Sequence, residues 1–300
     1  MLELLSHCTL CPRECGANRL AGEAGFCGAV GETVRVARAA LHYWEEPCIS
    51  GSNGSGAVFF SYCPLRCVYC QNRAISRGDA GKDIPISRLA EIFLELQGQG
   101  AHNINLVTPT HYVPQIILAL REAKARGLAI PVVFNCGGYE KAETLRLLEG
   151  LVDIYLPDFK YLSSAHAARY SGAPDYFSRA KEALAEMVRQ TGEPAFDVHR
   201  MMTRGVIVRH LLLPGFAQES KKLLRFLHRK YGDRIYLSIM NQFTPLENVR
   251  DYPELDRTIT DGEYERIIDF AVNLGVENGF VQEGGTADES FIPPFDCEGV

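Results

Sequence analysis

The chain has 300 residues, of which 46% are hydrophobic and 23% are charged, and its formal net charge is −6. This composition is ordinary for a soluble globular protein, and the dispersed Lys and Arg residues give no sign of a nucleic-acid-binding surface. No apolar stretch approaches the ~20 residues that a membrane-spanning helix needs, and the amino terminus lacks the pattern of a secretory signal. We therefore expect a cytoplasmic protein that binds neither nucleic acid nor membrane.

The first 50 residues hold half of the ten cysteines. Four of them, Cys8, Cys11, Cys15 and Cys27, have the spacing C-x2-C-x3-C-x11-C. In a reducing compartment such short spacings favour metal binding over disulfides, and four thiolates suffice for a structural zinc ion or an iron–sulfur cluster. The spacing does not choose between these metals, and Cys48 could replace one of the four. We predict a Cys-rich metal-binding segment over residues 1–50.

From residue 51 onward, short β-rich runs alternate with helical patterns. Six strands are predicted at 57–62, 103–108, 131–135, 152–157, 205–213 and 234–240. Helices are predicted from a cap at Ser87 to Gly98 or Gly100, and over 114–125, 140–149, 175–191, 218–231 and 261–274. Strands separated by helices pair in parallel, and six units are too few for an eight-stranded barrel. We therefore predict a partial barrel or an open doubly wound sheet over residues 51–282 and a carboxyl-terminal tail over residues 283–300.

Three cysteines, Cys63, Cys67 and Cys70, follow the first predicted strand in the sequence FFSYCPLRCVYCQN. They therefore lie at the carboxyl end of a parallel sheet, where α/β proteins place their active sites. The C-x3-C-x2-C spacing suits three irons of a [4Fe–4S] cluster and leaves the fourth iron open to an outside ligand. A zinc site with a distant fourth ligand, or a four-cysteine ferredoxin cluster, fits the spacing as well.

The C-x3-C-x-aromatic-C pattern after the first strand of a βα array resembles the signature of the radical S-adenosylmethionine (SAM) superfamily. The segments EEPCISG, GAHNINLVTPTHYVPQI, DIYLPDFKY and VIVRHLLLPG resemble the branch of uncharacterised iron–sulfur proteins related to pyruvate formate-lyase-activating enzyme, over about residues 8–275. The resemblance implies an α/β fold with a partial (β/α)6 TIM-like barrel. It also implies an oxidoreductase in which a reduced [4Fe–4S] cluster cleaves SAM to methionine and a 5′-deoxyadenosyl radical, which abstracts hydrogen from a substrate.

The same resemblance implies roles for residues of the loop and of the strand ends. Cys63, Cys67 and Cys70 are implied as the iron ligands of the catalytic cluster, and Tyr69 is implied to lie near the adenine of SAM. Activating enzymes of this type carry an Asp-x-Lys like Asp158-Phe159-Lys160. Strand alternation directs both charged side chains of that triplet the same way, toward the amino and carboxylate groups of methionine. A surface ion pair is the alternative for them.

Other predicted strand ends offer further cofactor contacts. Many relatives hold the SAM amino group with a Gly-Gly-Glu-Pro motif after the second strand, and this sequence has Thr108, Thr110 and His111 there instead. His111 could equally start a helix, with its side chain hydrogen-bonded elsewhere. On the fifth strand Arg209 and His210 face opposite ways, and the resemblance favours Arg209 as the inward residue. Two more candidates are Asn135, for a ribose hydroxyl, and Gln242.

The resemblance implies an enzyme whose most concrete form is an activase that removes a hydrogen from a glycyl residue of a partner enzyme. A flavodoxin- or ferredoxin-type protein is implied as the reductant. A peptide or a small molecule is the other class of substrate. The alternative function is a metal-binding electron carrier or structural zinc protein without SAM chemistry. The long βα array argues against this alternative, because a carrier needs no barrel-sized pocket.

Overall fold

The computed structural model describes residues 1–282 and 292–300. Within this part of the chain, ten strands belong to one sheet, with the spatial order β10-β9-β8-β6-β5-β4-β2-β1-β3 and with β7 paired to β8. The strands are β1 Val34–His42, β2 Ser55–Phe60, β3 Lys82–Ile84, β4 Ile104–Val107, β5 Val132–Cys136, β6 Ile154–Pro157, β7 Ala195–Phe196, β8 Met202–Leu211, β9 Tyr236–Met240 and β10 Gly279–Val281.

The six predicted strands are confirmed as β2, β4, β5, β6, β8 and β9, and each pairs in parallel with its neighbour. The sequence interpretation missed β10, a further parallel strand beside β9, and the strands β1 and β3, which extend the other edge in antiparallel pairing. A mostly parallel sheet with intervening helices confirms the predicted fold class, an α/β partial barrel.

The helices are α1 Pro47–Ser50, α2 Arg73–Arg77, α3 Ile86–Gly98, α4 Val113–Ala125, α5 Ala142–Arg146, α6 Ser164–Ser171, α7 Tyr176–Thr191, α8 Ala217–Tyr231 and α9 Asp261–Leu274. The prediction that Ser87 caps α3 is wrong, because the helix already begins at Ile86 and Pro85 occupies the cap position without a side-chain cap. The prediction of a helix over 140–149 is too long, because tight turns replace it after α5. Across the described ranges, no helix combines the length and the apolar character needed to span a membrane.

The strands separate two apolar environments. Alternate residues such as Val58, Leu106 and Phe134 belong to the main core cluster, which also contains the apolar residues of α3, α4, α7 and α8. The opposite face of the sheet lines the interior of the partial barrel. There, Cys48 and Ile49 of α1 pack against residues of β5, β6 and β8 and fill part of that interior. The remaining interior space lies toward the carboxyl ends of the strands.

The carboxyl-terminal residues 292–300 lie along β1. The backbone N–H of Cys297 donates to Ala37 O (2.9 Å), and Ala39 N–H donates to Glu298 O (2.8 Å). Arg38 forms an ion pair with Asp296 at 2.9 Å. This segment therefore covers part of the antiparallel edge of the sheet, while residues 283–291 of the predicted tail lie outside the described residues.

Candidate active site

One cavity of about 360 Å³ lies among the carboxyl ends of the parallel strands. Ten of the residues predicted to form the catalytic or cofactor site line it: Cys63, Cys67, Tyr69, Cys70, Thr108, Asn135, Asp158, Lys160, Arg209 and Gln242. These residues are far apart in sequence, and they meet because parallel strands deliver their carboxyl ends to the same edge of the sheet. Thr110 and His111 do not line this cavity.

The three-cysteine loop has a constrained backbone. Tyr62 (φ 73°) and Arg66 (φ 53°) adopt the left-handed region, which is unfavourable for residues with a side chain. The turn is held by the backbone N–H of Leu65, which lies 3.4 Å from Cys63 Sγ, and by Val68 N–H, which donates to Tyr170 O at 2.8 Å. Strained backbone of this kind is characteristic of functional loops that the surrounding fold holds in place.

The thiols of Cys63 and Cys70 are neutral in the absence of a cation. Burial, followed by the proximity of Cys67, raises the pKa of Cys63 to about 12 and that of Cys70 to about 11. A positively charged metal centre reverses this effect, because it binds and stabilises thiolates. In the ranges 1–282 and 292–300, no three His, Cys, Asp or Glu side chains converge closely enough to hold one metal ion. A [4Fe–4S] cluster binds each thiolate through a different iron, so its ligands need not converge on one point.

A buried group of hydroxyls adjoins the loop. Ser171 Oγ, at the end of α6, donates a hydrogen bond to Cys67 Sγ at 2.9 Å. The hydroxyl of Tyr161 lies 2.7 Å from Ser171 Oγ and 2.7 Å from the hydroxyl of Tyr69. The Tyr69 ring also packs edge-on against Phe243, with the ring centroids 6.1 Å apart. These contacts hold Tyr69 in place and provide a hydrogen-bond donor to the thiol of Cys67. No sequence pattern pointed to Ser171.

Asp158 and Lys160 form an ion pair at the rim of the cavity. Lys160 Nζ donates to Asp158 Oδ2 at 2.6 Å, and the two side chains are 14% and 26% exposed. Burial opposes the charge of Lys160, but Asp158 and Cys67 outweigh it and raise its pKa well above the ordinary value. Both side chains point into the cavity, as strand alternation predicts, so the pair lines a concave site rather than an open surface.

Glycine is required where the β5 and β6 ends approach each other. Gly138 has φ 78°, and a Cβ there would lie 2.1 Å from Asp158 O. A Cβ on Gly137 would lie 2.8 Å from Leu65 Cδ1 of the three-cysteine loop. The two glycines thus allow the rim of the cavity to close around the loop.

Arg209 points into the cavity and His210 points away from it. His210 is buried, with Nδ1 2.8 Å from Phe159 O and Nε2 2.9 Å from Ser220 Oγ. The Arg209 guanidinium is bound by Glu45 and Glu46: Nε and Nη2 donate to Glu46 at 2.8 and 2.6 Å, and Nη2 also contacts Glu45. Most of its donors are therefore engaged within the protein.

Glu45 and Glu46 are lining residues that the sequence interpretation missed. Both follow β1, outside the βα array, and both side chains are almost fully buried. Glu45 Oε1 accepts hydrogen bonds from Asn105 Nδ2 at 2.8 Å and from Asn135 Nδ2 at 3.4 Å. The sequence signal was an acidic pair at the start of EEPCISG, a segment that carries part of the family resemblance and whose residues Cys48, Ile49 and Ser50 are buried.

Thr110 and His111 are engaged in the core. Thr108 has φ 59°, and the chain then turns into a short 3-10 helix over Thr110–Tyr112. Thr110 Oγ1 donates to the buried Glu140 at 2.9 Å, and His111 Nε2 lies 2.8 Å from Ser61 O. We do not include these two residues in the proposed site, because the turn directs their side chains away from the cavity.

The amino-terminal cysteines form a compact group apart from Cys48. Cys8, Cys11 and Cys27 are buried and Cys15 is exposed. A Cβ on Gly25 would lie 3.4 Å from Cys15 Sγ and 3.5 Å from Cys27 Sγ. Burial, with the nearby Cys27 and Cys8, raises the pKa of Cys11 to about 12. Cys48 packs in the barrel interior with residues of β5 and β6, so it is not part of this group.

Two arginines connect the amino-terminal cysteines to the three-cysteine loop. Arg13 Nε donates to Pro64 O at 2.8 Å, and Arg13 Nη2 donates to Ser171 O at 2.7 Å. Arg66 Nη2, within the loop, donates to Cys27 O at 2.9 Å. The amino-terminal segment therefore supports the loop directly.

Comparison with known proteins gives a family, one relative and a set of similar folds. The radical SAM superfamily matches residues 57–227. An uncharacterized protein of Methanocaldococcus jannaschii is 28% identical over 284 residues, covering 91% of this chain and 77% of that protein. SuiB of Streptococcus suis bound to S-adenosylmethionine has a TM-score of 0.50 at 14% identity, over 74% of this chain and 48% of SuiB. SuiB bound to its precursor peptide SuiA has a TM-score of 0.49 at 15% identity, over 74% of this chain and 46% of SuiB.

The chain spans about half the length of these SuiB structures. At 14% identity, the likeness to the SAM-bound structure concerns the fold alone. The superfamily match covers more than half of the chain and runs from β2 into α8. It includes the three-cysteine loop and the carboxyl ends of five parallel strands that surround the cavity. The chain belongs to the radical SAM superfamily.

Proposed function

We propose that this protein cleaves SAM reductively and uses the resulting radical to take a hydrogen atom from a substrate bound in the cavity. One observation carries the proposal: three partly buried cysteines of one loop line the same cavity as the Asp158–Lys160 pair. The thiols suit a metal cluster, and the charged pair suits the ammonium and carboxylate groups of an amino acid. A site that serves only electron transfer has no use for the second feature.

The donor set fits a [4Fe–4S] cluster. Cys63, Cys67 and Cys70 supply three thiols, which is one fewer than a closed cluster uses. The raised pKa values of Cys63 and Cys70 mean that the thiolate forms of these two residues are stable only beside a cationic centre. When bound, a cluster at this position supplies the electron that breaks a bond of SAM and yields methionine and a 5′-deoxyadenosyl radical.

The other lining residues are proposed to bind and orient SAM. Asp158 accepts hydrogen bonds from its ammonium group, and Lys160 pairs with its carboxylate. Tyr69 would lie near the adenine, and its ring is already held in place by its aromatic neighbours Tyr161, Tyr170 and Phe243. Thr108, Asn135 and Gln242 offer polar contacts. Arg209 is proposed to hold Glu45 and Glu46 in position and not to bind the cofactor directly, because these two carboxylates engage most of its N–H donors.

The resemblance to activating enzymes supports a finer proposal, in which the hydrogen comes from a glycyl residue of a partner enzyme. A flavodoxin- or ferredoxin-type protein is proposed as the electron donor. The test is to incubate the reduced protein with SAM and a candidate glycyl-radical enzyme and record electron paramagnetic resonance (EPR) spectra. A carbon-centred radical whose doublet collapses when the partner contains α-deuterated glycine supports the proposal. Deuterium transfer to 5′-deoxyadenosine from a different substrate contradicts it.

We also propose a second metal site at the amino terminus, formed by Cys8, Cys11, Cys15 and Cys27. Its support is the grouping of these thiols around Gly25 and the burial of three of them. Zinc and a [4Fe–4S] cluster both take four thiolates. Because these side chains do not converge on one point among the described residues, a zinc ion would require them to move together, whereas a cluster binds each thiolate through a different iron. Metal analysis of a variant that lacks the thiols of the three-cysteine loop distinguishes the two metals. Zinc retained by this variant indicates a zinc site at the amino terminus, whereas retained iron and sulfide indicate a [4Fe–4S] cluster.

The main proposal is tested by anaerobic purification, iron and sulfide analysis, and incubation with dithionite and SAM. We expect 5′-deoxyadenosine to form, and we expect Cys67→Ala to abolish it. Cys297→Ala is the matched control, because Cys297 lies outside the cavity and should leave the product unchanged. A fully loaded cluster that forms no 5′-deoxyadenosine would favour a metal-binding protein without SAM chemistry.

A further inference from the structure

Arg19 is a fully buried arginine in the amino-terminal Cys-rich segment. It is 0% exposed and begins the short 3-10 helix Arg19–Ala21, between Cys15 and Cys27 in the sequence. Its Nη1 donates to His111 O at 2.6 Å. Within residues 1–282 and 292–300, its buried Nε and Nη2 have no hydrogen-bond partner. The guanidinium therefore has donors that the described part of the chain does not use.

The positive charge of Arg19 also lacks a carboxylate from its own segment. The acidic residues nearest to it in the sequence are engaged elsewhere: Glu14 pairs with Lys141, and Glu23 is exposed and accepts a hydrogen bond from Asn18 N–H. A guanidinium stays protonated in proteins, and a buried charge without an opposite charge is strongly unfavourable. A bound water could accept hydrogen bonds from Nε and Nη2 but would not neutralise the charge.

Cys27 lies within the electrostatic reach of this charge. Gly31 N–H, shortly after Cys27 in the sequence, donates to Arg19 O at 2.8 Å. Arg19 Cζ lies 5.7 Å from the centroid of the Tyr112 ring, and Tyr112 and Cys27 belong to the same core cluster. Burial raises the pKa of the Cys27 thiol, and the Arg19 guanidinium opposes this increase. Arg19 therefore favours the thiolate form of Cys27.

Arg66 brings a second positive charge to Cys27. Its Nη2 donates to Cys27 O at 2.9 Å, and its buried Nε has no hydrogen-bond partner among the described residues. A centre with four thiolates and a dication, either Zn²⁺ or an oxidised [4Fe–4S] core, leaves two negative charges uncompensated. Two guanidiniums with unused donors match this excess in sign and in size.

We propose that Arg19 is the buried counter-ion of an anionic metal centre whose four thiolate ligands are the amino-terminal cysteines. This inference rests on the second metal site of the proposed function, and it adds a residue on which retention of that metal depends. Free thiols or disulfides are neutral and leave the charge of Arg19 uncompensated. Through His111 O, Arg19 also connects this centre to the turn after β4, where Thr108 lines the cavity.

The test uses the full-length chain without the thiols of the three-cysteine loop, so that only metal at the amino terminus is measured. It compares Arg19→Gln with Arg19→Lys, because both side chains keep an N–H donor but only lysine keeps the charge. The readout is the EDTA concentration that removes half of the metal under anaerobic conditions. We expect Arg19→Gln to lower this concentration at least about tenfold, as the loss of a charged hydrogen bond implies, and Arg19→Lys to change it by less than about threefold.

Urea denaturation with and without the metal separates a counter-ion from a structural donor. Arg19→Gln should lower the free energy of unfolding of the metal-loaded chain, because the metal centre loses its counter-ion. It should raise the free energy of unfolding of the metal-free chain, because it removes an uncompensated buried charge. A role only as donor to His111 O predicts the same sign in both states. Arg121→Gln, at an exposed position of α4, is the matched control and should change neither measurement.

An unchanged EDTA concentration for Arg19→Gln, or an equal loss of metal from Arg19→Lys, overturns the inference and leaves the second metal site standing. If Arg19→Gln does not fold, Arg19→Lys alone decides: retained metal supports the counter-ion, and a loss of about tenfold or more overturns it. A parent chain that retains no metal at the amino terminus refutes the second metal site, and the inference with it.

Discussion

Replacement of Ser171 by alanine tests whether the cavity has been assigned to a redox cluster correctly. The Ser171 hydroxyl is 4% exposed and donates to Cys67 Sγ at 2.9 Å. A donor to a cluster thiolate stabilises the more negative, reduced state more than the oxidised state, and hydrogen bonds to cluster sulfurs are among the determinants of its potential. Removing the donor should therefore lower the reduction potential and make the cluster harder to reduce.

The expected size follows from the energy of the hydrogen bond. A hydrogen bond to a charged group contributes about 1.5–3 kcal/mol. The reduction potential changes only by the difference in hydrogen-bond energy between the reduced and the oxidised cluster. If this difference is half of the hydrogen-bond energy, the potential falls by roughly 30–60 mV for a one-electron couple. Iron content should not change, because Cys63, Cys67 and Cys70 remain in place.

The assay is a potentiometric titration in which the EPR signal of the reduced cluster is integrated at each potential. Ser164→Ala is the control, because it makes the same change on an exposed position of α6. The reasoning would be refuted if the reduction potential of Ser171→Ala rises or stays within about 10 mV of that of the unaltered protein. In that case Ser171 has a packing role through Tyr161 and does not tune the cluster.

Three further predictions concern the rim, the amino terminus and the core. Lys160→Met should raise the dissociation constant of SAM by about 10- to 100-fold, because a charged hydrogen bond is lost; equilibrium dialysis of the oxidised protein checks this. Cys11→Ala should lower the midpoint temperature of unfolding but leave intact the change that SAM causes in the EPR signal of the three-cysteine-loop cluster. Loss of this SAM-dependent change would contradict the assignment of the two cysteine groups to separate sites. Burial raises the pKa of Glu140 to about 7 in the folded protein, so stability should fall as the pH rises from about 4.5 through 7. Glu140→Gln should therefore raise the free energy of unfolding by up to about 3 kcal/mol at pH 8 and leave it unchanged at pH 4. Urea denaturation at the two pH values measures this difference. An equal effect at both pH values would contradict the prediction.

Local sequence patterns were sufficient for several features of the site. The three-cysteine loop could be identified because its ligands lie within eight positions and directly follow an apolar strand. The inward direction of Asp158 and Lys160, and of Arg209 rather than His210, follows from the two-residue period of a strand. The six parallel strands were visible for a different reason, because a strand buried on both faces is a short run of apolar residues.

Other features depend on contacts between distant parts of the chain. Glu45 and Glu46 reach the cavity only because β1 pairs with β2 and the following segment enters the barrel interior. Ser171 meets Cys67 through the packing of α6 against the loop, 104 positions away in sequence. Thr110 and His111 sit at a strand end like the other candidates, but a left-handed residue at Thr108 turns them into the core.

The candidate cluster-binding loop and the strands beside it could be recognised from the sequence alone, because the cysteine spacing and the strand periodicity act over a few residues and depend little on the rest of the fold. The surroundings of this loop became visible only in the folded chain. The Arg209–Glu45 ion pair, the donor on Cys67 and the support of the loop by Arg13 each join segments that no local pattern relates. Their positions follow from how the sheet and helices pack, since packing brings together side chains whose separation along the chain carries no signal.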